Sequence, residues 1–135
     1  QKVNFEDVQF IINSSRNNYI LINTLSNHNQ DCLITNTITV DKEEQIINGC
    51  LSNPNVRIVI YGKNTNDPKI IEKYKQLLNL GFMNIYIYPG GLFEWLCLQD
   101  IFGKDEFPTT IDELDIYKYR PKSKFNELLL LENID

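Results

Sequence analysis

The apolar residues of this chain follow two different spacings, which predict two kinds of element. Short runs rich in β-branched residues occupy 19–23, 33–40, 56–61 and 84–88. Between them, apolar residues return every three or four positions, the spacing of helices that bury one face. Because strand-like runs alternate with helical segments, the pattern predicts an α/β domain built on a parallel sheet.

Capping residues mark where the first two predicted helices begin. Asn4 is a predicted N-cap, and the helix after it has an apolar face made by Phe5, Val8, Ile11 and Ile12. Asp41 begins the second predicted helix, and Glu44 completes a start that resembles a capping box. The apolar face of this second helix comprises Ile46, Ile47, Cys50 and Leu51.

The strongest predicted strand is joined to the strongest predicted helix by a polar loop. Run 56–61 is almost continuously apolar, as expected of a central parallel strand covered on both faces. Loop 62–67 follows it. Asp67 is then predicted to cap the helix, with Pro68 in its first turn and Gly81 at its end.

The last third of the chain has weaker signals. Pro89, Gly90 and Gly91 form a predicted turn into a helix over 92–99. Residues 100–124 have no strong period and are predicted to be a loop with a short helical piece near 111–114. Ser123 is predicted to cap a final short helix that carries Phe125, Leu128, Leu129 and Leu131.

Four segments, in this order, resemble the motifs of rhodanese-like domains. Residues 19–23 (YILIN) resemble the family's opening strand, and residues 32–38 (CLITNTI) resemble the segment that follows it. Residues 56–67 (VRIVIYGKNTND) resemble its central strand and active-site loop, and residues 77–95 (LLNLGFMNIYIYPGGLFEW) resemble the next helix end, strand and Gly-Gly turn. The resemblance covers residues 4–120. It implies a five-stranded parallel central sheet flanked by helices on both sides.

The resemblance also implies where the family's catalytic cysteine would stand. That cysteine directly follows the central strand, where loop amides and a helix N-terminus lower its pKa. Gly62 occupies the position here, and no cysteine lies between Cys50 and Cys97. Asp67 adds a carboxylate that would occupy the helix amides and repel an incoming anion, which Lys63 offsets only in part. We therefore expect a catalytically inactive rhodanese homologue with no catalytic residue.

The loop stays the best candidate binding site. Ligands of open parallel sheets bind at the carboxyl ends of the strands. The candidate residues are those of the loop, with two glycines as a candidate pocket rim: Gly62, Lys63, Asn64, Thr65, Asn66 and Asp67, with Gly90 and Gly91. The alternative is that the loop only connects a strand to a helix.

Other reactive residues lack the surroundings of a site. Cys32, Cys50 and Cys97 form no disulfide framework, and Cys97 is expected to be a buried core residue. His28 is near Cys32 in sequence, but nothing in the sequence orients the pair. The acidic run 112–115 lacks the glycine and ligand spacing of a calcium loop. We expect neither a metal nor a cofactor.

The amino-acid composition limits the kinds of partner the chain is expected to bind and indicates the kind of genome that encodes it. The net charge of −5 disfavours non-specific binding to nucleic acid or to anionic membranes. Alanine is absent while Asn and Ile are abundant, which indicates an AT-rich genome, such as that of a protist or a giant virus. The first residues do not have the pattern of a signal peptide, and no apolar stretch approaches a membrane span. We expect a cytoplasmic protein, or one in a virion or its host's cytoplasm.

The C-terminal part carries two candidate interaction features. One is a basic stripe, in which four basic residues are interleaved with two tyrosines: Lys118, Arg120, Lys122 and Lys124, with Tyr117 and Tyr119. This stripe is either solvated or in contact with an acidic partner or polyanion. Leucines 128–131 either fold back or dock on a partner, a homodimer being one alternative. We assign 1–122 to the rhodanese-like domain and 123–135 to a C-terminal extension.

Three functions stay open at this point. The favoured one is a non-catalytic rhodanese-like module that binds a protein partner or regulates one. The second is a sulfurtransferase-type enzyme that uses a displaced nucleophile, such as Thr65 or Cys32, or a partner's thiol. The third is a structural or assembly component, for example of a virus particle.

Overall fold

A computed structural model describes residues 1–14, 18–53, 55–126 and 128. Within these residues the strands are β1 (Tyr19–Asn23), β2 (Thr37–Ile38), β3 (Arg57–Tyr61) and β4 (Asn84–Tyr88). The α-helices are α1 (Phe5–Asn13), α2 (Val40–Gly49), α3 (Lys69–Asn79) and α4 (Gly91–Phe102). Two short 3₁₀ helices span Asn27–Asn29 and Ile116–Tyr119. None of the described helices is long and apolar enough to cross a membrane.

The strands form one parallel sheet in the order β2-β1-β3-β4. This confirms the predicted parallel α/β architecture, with four strands in the described residues where five were expected. The place beyond β4 is taken by the start of the chain, where Lys2 makes an isolated parallel bridge with Ile87. The Ile87 amide donates to the Gln1 carbonyl at 2.8 Å. This segment extends the sheet by one bridge only.

Helices cover both faces of the sheet, and each face has its own core. In β3, Ile58 and Ile60 point to one face, while Val59 and Tyr61 point to the other. The first face packs against α2 and α3 through Ile47, Ile70 and Leu77. The second packs against α1 and α4 through Val8, Leu92, Trp95 and Leu96. Because both faces are covered, the strand is apolar at almost every position.

Helix ends follow the sequence at some positions and depart from it at others. Asn4 and Asp7 form a full capping box at the start of α1, with both hydrogen bonds at 3.0 Å. The predicted start of α2 is wrong. The helix begins at Val40, and its amide is bound by the Gln30 side chain at 3.1 Å. Asp41 instead accepts a hydrogen bond from the preceding Thr39 hydroxyl, so no capping box forms with Glu44.

The end of α3 is a Schellman motif, as the glycine at its end predicted. Gly81 has a φ of +99° and donates to Leu78 at 3.0 Å. The Phe82 amide donates to Leu77 at 3.3 Å, and the two side chains lie in one core. A left-handed residue is needed at this position, and glycine adopts that conformation without strain.

The strand predicted within 33–40 spans only Thr37–Ile38, because the chain before it pairs elsewhere. Thr35 donates to the carbonyl of Pro108 at 3.1 Å, and Thr110 donates to Leu33 at 2.8 Å. Ile34 therefore forms an antiparallel bridge in the segment that returns after α4.

Two further predictions are displaced by a few residues. The helix predicted over 92–99 extends to 91–102. The helical piece predicted near 111–114 forms at Ile116–Tyr119 instead. Near the end, the Ser123 hydroxyl accepts from the Asn126 amide at 3.3 Å. Of the predicted leucine run, only Leu128 lies within the described residues, and it is exposed.

Two buried tyrosines end neighbouring strands but differ in their hydrogen bonds. Tyr61 and Tyr88 are aligned across β3 and β4 and are 0% and 1% exposed. The Tyr61 hydroxyl accepts from the Ile34 amide at 3.1 Å and lies 2.8 Å from the Thr37 hydroxyl. The Tyr88 hydroxyl meets no partner in hydrogen-bond geometry among the described residues, although the nearby Glu94 side chain adds to burial in raising its pKa. Burial raises the pKa of both phenols, so both are neutral.

This pair gives a matched test of the core. Tyr61→Phe is expected to lower the free energy of unfolding by about 1–3 kcal/mol, because it leaves the buried Ile34 amide unpaired. Tyr88→Phe leaves no buried backbone group unpaired, so its effect should stay within about 0.5 kcal/mol. Urea denaturation of the two variants measures both. Equal losses of stability in the two variants would contradict the assignment of a hydrogen bond between the Ile34 amide and the Tyr61 hydroxyl.

Candidate functional site

Loop 62–67 lies at the carboxyl edge of the sheet, between the central strand and α3. The residue after β1 joins it, since the Thr24 amide donates to the Tyr61 carbonyl at 3.0 Å. The first turn of α4 closes the other side, where the Leu92 amide donates to the Gly62 carbonyl at 2.9 Å. The loop therefore lies at the edge where parallel sheets bind ligands.

The predicted rim glycines pack around the loop and do not form an open edge of its groove. Gly91 is buried with a φ of +66°, and a Cβ there would lie 2.6 Å from the Gly62 carbonyl oxygen. Only glycine permits α4 to approach the loop so closely. Gly90 is covered by the Glu94 side chain and lines a separate, mainly apolar cavity of about 470 Å³ with Thr65 and Phe93.

Asn64 attaches the C-terminal segment to the loop. Its side chain is buried, and its Nδ2 donates to the Tyr119 carbonyl at 2.9 Å. Its Oδ1 accepts from the Asn66 amide at 2.9 Å, which fixes the turn. Lys63, Thr65 and Asn66 are exposed. The loop thus presents these three side chains to solvent while Asn64 anchors it.

Asp67 folds back over the loop and over the start of α3. Its Oδ2 accepts from the Thr24 hydroxyl at 2.7 Å and lies 3.4 Å from the Lys63 amide. Its Oδ1 accepts from the Lys69 amide at 3.0 Å. The carboxylate thus sits on two amides of the loop and helix start. It places a fixed negative charge where an anion would otherwise bind.

The space beside Gly62 is filled by the same carboxylate. A Cβ on Gly62 would lie 2.4 Å from Asp67 Oδ2 and 2.7 Å from Thr24 Oγ1. No side chain fits at position 62 while Asp67 and Thr24 keep these places. The loop holds neither a nucleophile at this position nor the space for one.

Thr24 was missed by sequence reasoning, which named only loop 62–67 with Gly90 and Gly91 as candidate site residues. Its contact with Asp67 arises because β1 and β3 pair in register from Tyr19↔Arg57 to Asn23↔Tyr61. That register brings the next residue of each strand to the same edge. No local sequence signal points to this contact.

Basic residues line the open groove beside the loop. The groove encloses about 490 Å³ and brings Lys63 of the loop and Lys69 of α3 together with Arg120 and Lys122 from the C-terminal segment. The sequence suggested Arg120 and Lys122 only as part of a separate stripe. The structure joins them to the loop, because Asn64 fixes the carbonyl of Tyr119.

The cysteines do not form a second site. Cys32 lies in the core shared with α1 and α4, and Cys50 packs against the core on the opposite face of the sheet. Burial raises the pKa of the Cys32 thiol, which lies 3.8 Å from the Ile111 carbonyl. Burial also raises the pKa of Cys97, which is half-buried and not the fully buried residue that was expected. Such thiols are poor nucleophiles near neutral pH.

The acidic run 112–115 is divided between two ion pairs. Asp112 pairs with Lys104 at 2.8 Å, and Glu113 pairs with Lys118 at 2.9 Å. Among the described residues, no group of three or more His, Cys, Asp or Glu is placed to hold a metal ion.

Solved structures with this arrangement of strands and helices include rhodanese-like domains. The rhodanese-like domain of the Anabaena protein Alr3790 matches with a TM-score of 0.51 at 19% identity, over 90% of this chain and 85% of that chain. The Bacillus halodurans protein BH2092 matches with a TM-score of 0.61 at 13% identity, over 94% and 88%. The Saccharomyces cerevisiae single-domain sulfurtransferase RDL2 matches with a TM-score of 0.53 at 16% identity, over 72% and 89%.

These likenesses concern the fold. No protein-family model matches the sequence, and no curated protein is significantly similar to it. The chain has the α/β fold of rhodanese-like domains, with Gly62 and Asp67 in the loop after its central strand.

The contact between Gly62 and Asp67 can be tested by a double-mutant cycle. Gly62 has no positive φ, so Gly62→Ala tests the available space alone. The substitution is expected to cost about 1–3 kcal/mol, because the new methyl group displaces the Asp67 carboxylate. In an Asp67→Ala background, the same substitution should cost about 1 kcal/mol less.

Gly49→Ala is the matched control for this cycle. A Cβ on Gly49 would meet nothing within 4 Å, so the substitution should leave stability unchanged or slightly raise it. Thermal and urea denaturation measure each variant. Additive effects of Gly62→Ala and Asp67→Ala would show that the carboxylate does not fill this space.

Proposed function

We propose that this chain is a non-catalytic rhodanese-like domain that acts as a protein-interaction or regulatory module. One observation carries the proposal. The Asp67 carboxylate lies 2.4 Å from the place where a Cβ of residue 62 would stand. Sulfur transfer in this fold requires a thiolate at that position, and here the space holds a fixed acid.

The electrostatics of the loop support the same proposal. Amides at the start of a helix stabilise an anion, and that stabilisation lowers the pKa of a cysteine in sulfurtransferases. In this chain the amides of Lys63 and Lys69 face Asp67. Their partial positive charge is therefore neutralised internally, and a second anion at the same place would meet a like charge.

The scaffold around the loop is well packed although the nucleophile is absent. Asn64, Gly91 and Leu92 hold the loop through buried contacts and hydrogen bonds. The groove beside the loop stays open to solvent and is lined by polar and charged side chains. A rigid loop at the edge of a sheet beside an open groove suits binding of a partner.

A sulfurtransferase is the competing function, because RDL2, which has this fold, is named as one. Such an activity would need a displaced nucleophile, such as Thr65 or Cys32, or a partner's thiol. Cys32 is 2% exposed and its pKa is raised by burial, so the thiolate form is disfavoured. Thr65 is exposed, but the structure gives its hydroxyl no basic partner within the described residues.

Sulfur transfer from thiosulfate to cyanide tests the proposal directly. The purified chain should form thiocyanate no faster than a protein-free blank, while RDL2 serves as the positive control. Intact-mass spectra after incubation with thiosulfate should show no added sulfur atom. Three variants, Cys32→Ser, Cys50→Ser and Cys97→Ser, identify the residue responsible if a signal appears. Thiocyanate formation above the blank that one of them abolishes would overturn the proposal.

A further inference from the structure

We infer that the groove beside loop 62–67 binds an acidic, carboxylate-rich segment of a protein partner. The inference rests on the proposed function and specifies the chemistry of the partner. It depends on the charges and the geometry of one continuous surface, which we call the basic groove. This surface combines residues of the loop, the start of α3 and the C-terminal segment.

The basic groove consists of two adjoining cavities of about 490 and 550 Å³. Both are lined by Lys63, Arg120 and Lys122. Lys69 lines the first cavity and Lys118 lines the second. The shared residues make the two cavities one extended surface, which suits a peptide better than a small anion.

Charge is distributed unevenly between this surface and the whole chain. The net charge of the chain is −5, yet five basic residues line the groove. Asp67 is the one acidic residue among those that line it. The Asp67 carboxylate is turned to the Thr24 hydroxyl and to backbone amides. A concave surface whose charge is mainly of one sign concentrates ligands of the opposite sign.

Most of the basic groups have no acidic partner within the described part of the chain. The ion pairs there join Lys73 to Glu43, Lys104 to Asp112 and Lys118 to Glu113. They leave Lys63, Lys69, Arg120 and Lys122 outside any ion pair, and all four are exposed. Their charges are therefore available to an incoming carboxylate.

Arg120 is held in place before any partner binds. Its guanidinium lies 4.0 Å from the ring centre of Tyr117 and donates to the Tyr117 carbonyl at 2.9 Å. One nitrogen is engaged in this way, and the guanidinium has further donors for a carboxylate. The Asn64–Tyr119 hydrogen bond fixes the neighbouring backbone to the loop. Arg120 thus binds a carboxylate with little loss of side-chain freedom.

An acidic peptide fits this surface better than a nucleic acid does. A long polyanion would also meet the negative charge that the rest of the chain carries. A short acidic segment contacts the groove alone. Carboxylates match the fork of Arg120, and the polar side chains of Ser26, Asn29 and Asn66 can bind a peptide backbone.

Fluorescence anisotropy with the full chain tests the inference. A short fluorescein-labelled oligo-glutamate peptide is titrated with the protein at low salt and again with added NaCl. Binding is expected to weaken as salt rises. The triple variant Lys63→Gln, Arg120→Gln and Lys122→Gln should lose affinity by about tenfold or more, because three charge-assisted contacts are removed.

A second triple variant is the control, because it removes three positive charges from residues outside the groove. Lys42→Gln, Lys75→Gln and Lys104→Gln change exposed residues outside the groove, so this variant should bind within about twofold of the unaltered chain. Equal losses in the two triple variants, or no binding of the peptide, would overturn the inference. Tighter binding of single-stranded DNA through the same three residues would overturn it in favour of a nucleic acid. The thiocyanate assay is independent of all these outcomes, so failure of the acidic partner leaves the proposed function intact.

Discussion

The Asp67 carboxylate connects three parts of the fold that meet at the edge of the sheet. It accepts a hydrogen bond from the Thr24 hydroxyl, which follows β1, and another from the Lys69 amide, which begins α3. It also lies over the Lys63 amide in the loop after β3. Because its oxygen fills the space beside residue 62, that residue has no room for a side chain. Gly62 and Asp67 are therefore one structural feature, in which the carboxylate fills the space beside the glycine.

The contact between Gly62 and Asp67 leaves the fold intact but changes the loop at which sulfur transfer is expected in a sulfurtransferase of this fold. The strands, the capped helices and the close approach of α4 through Gly91 hold the loop firmly. The amides that would stabilise a thiolate are occupied by a fixed carboxylate. What stays exposed around the loop is a surface of cationic side chains on a chain whose net charge is negative. The proposed role of this surface is to bind a partner and not to transfer sulfur.

Local patterns in the sequence predicted the elements that depend on interactions between residues close together in the chain. The central strands followed from apolar runs, the start of α1 from Asn4 and the end of α3 from Gly81, each set by a few neighbouring residues. The predicted Asp67 cap of α3 is wrong, because the helix begins at Lys69 with Pro68 at the N-cap position and no side-chain cap. Features that depend on distant pairing were not predicted. β2 is short because Thr35 pairs with Pro108, and the Asp67–Thr24 contact depends on the register of β1 with β3. The position of Arg120 beside the loop depends on a single buried amide, Asn64, which the sequence marked as a candidate loop residue without its contact to the C-terminal segment.

The central claim is that the Asp67 carboxylate occupies the anion position of the loop. A crystal structure of the chain grown or soaked in thiosulfate tests it most directly. We expect electron density for the Asp67 carboxylate against the Thr24 hydroxyl and the Lys69 amide, with no anion on the amides of the loop. A thiosulfate ion bound to the amides of Lys63 and Lys69, with the Asp67 side chain turned out to solvent, would contradict the account.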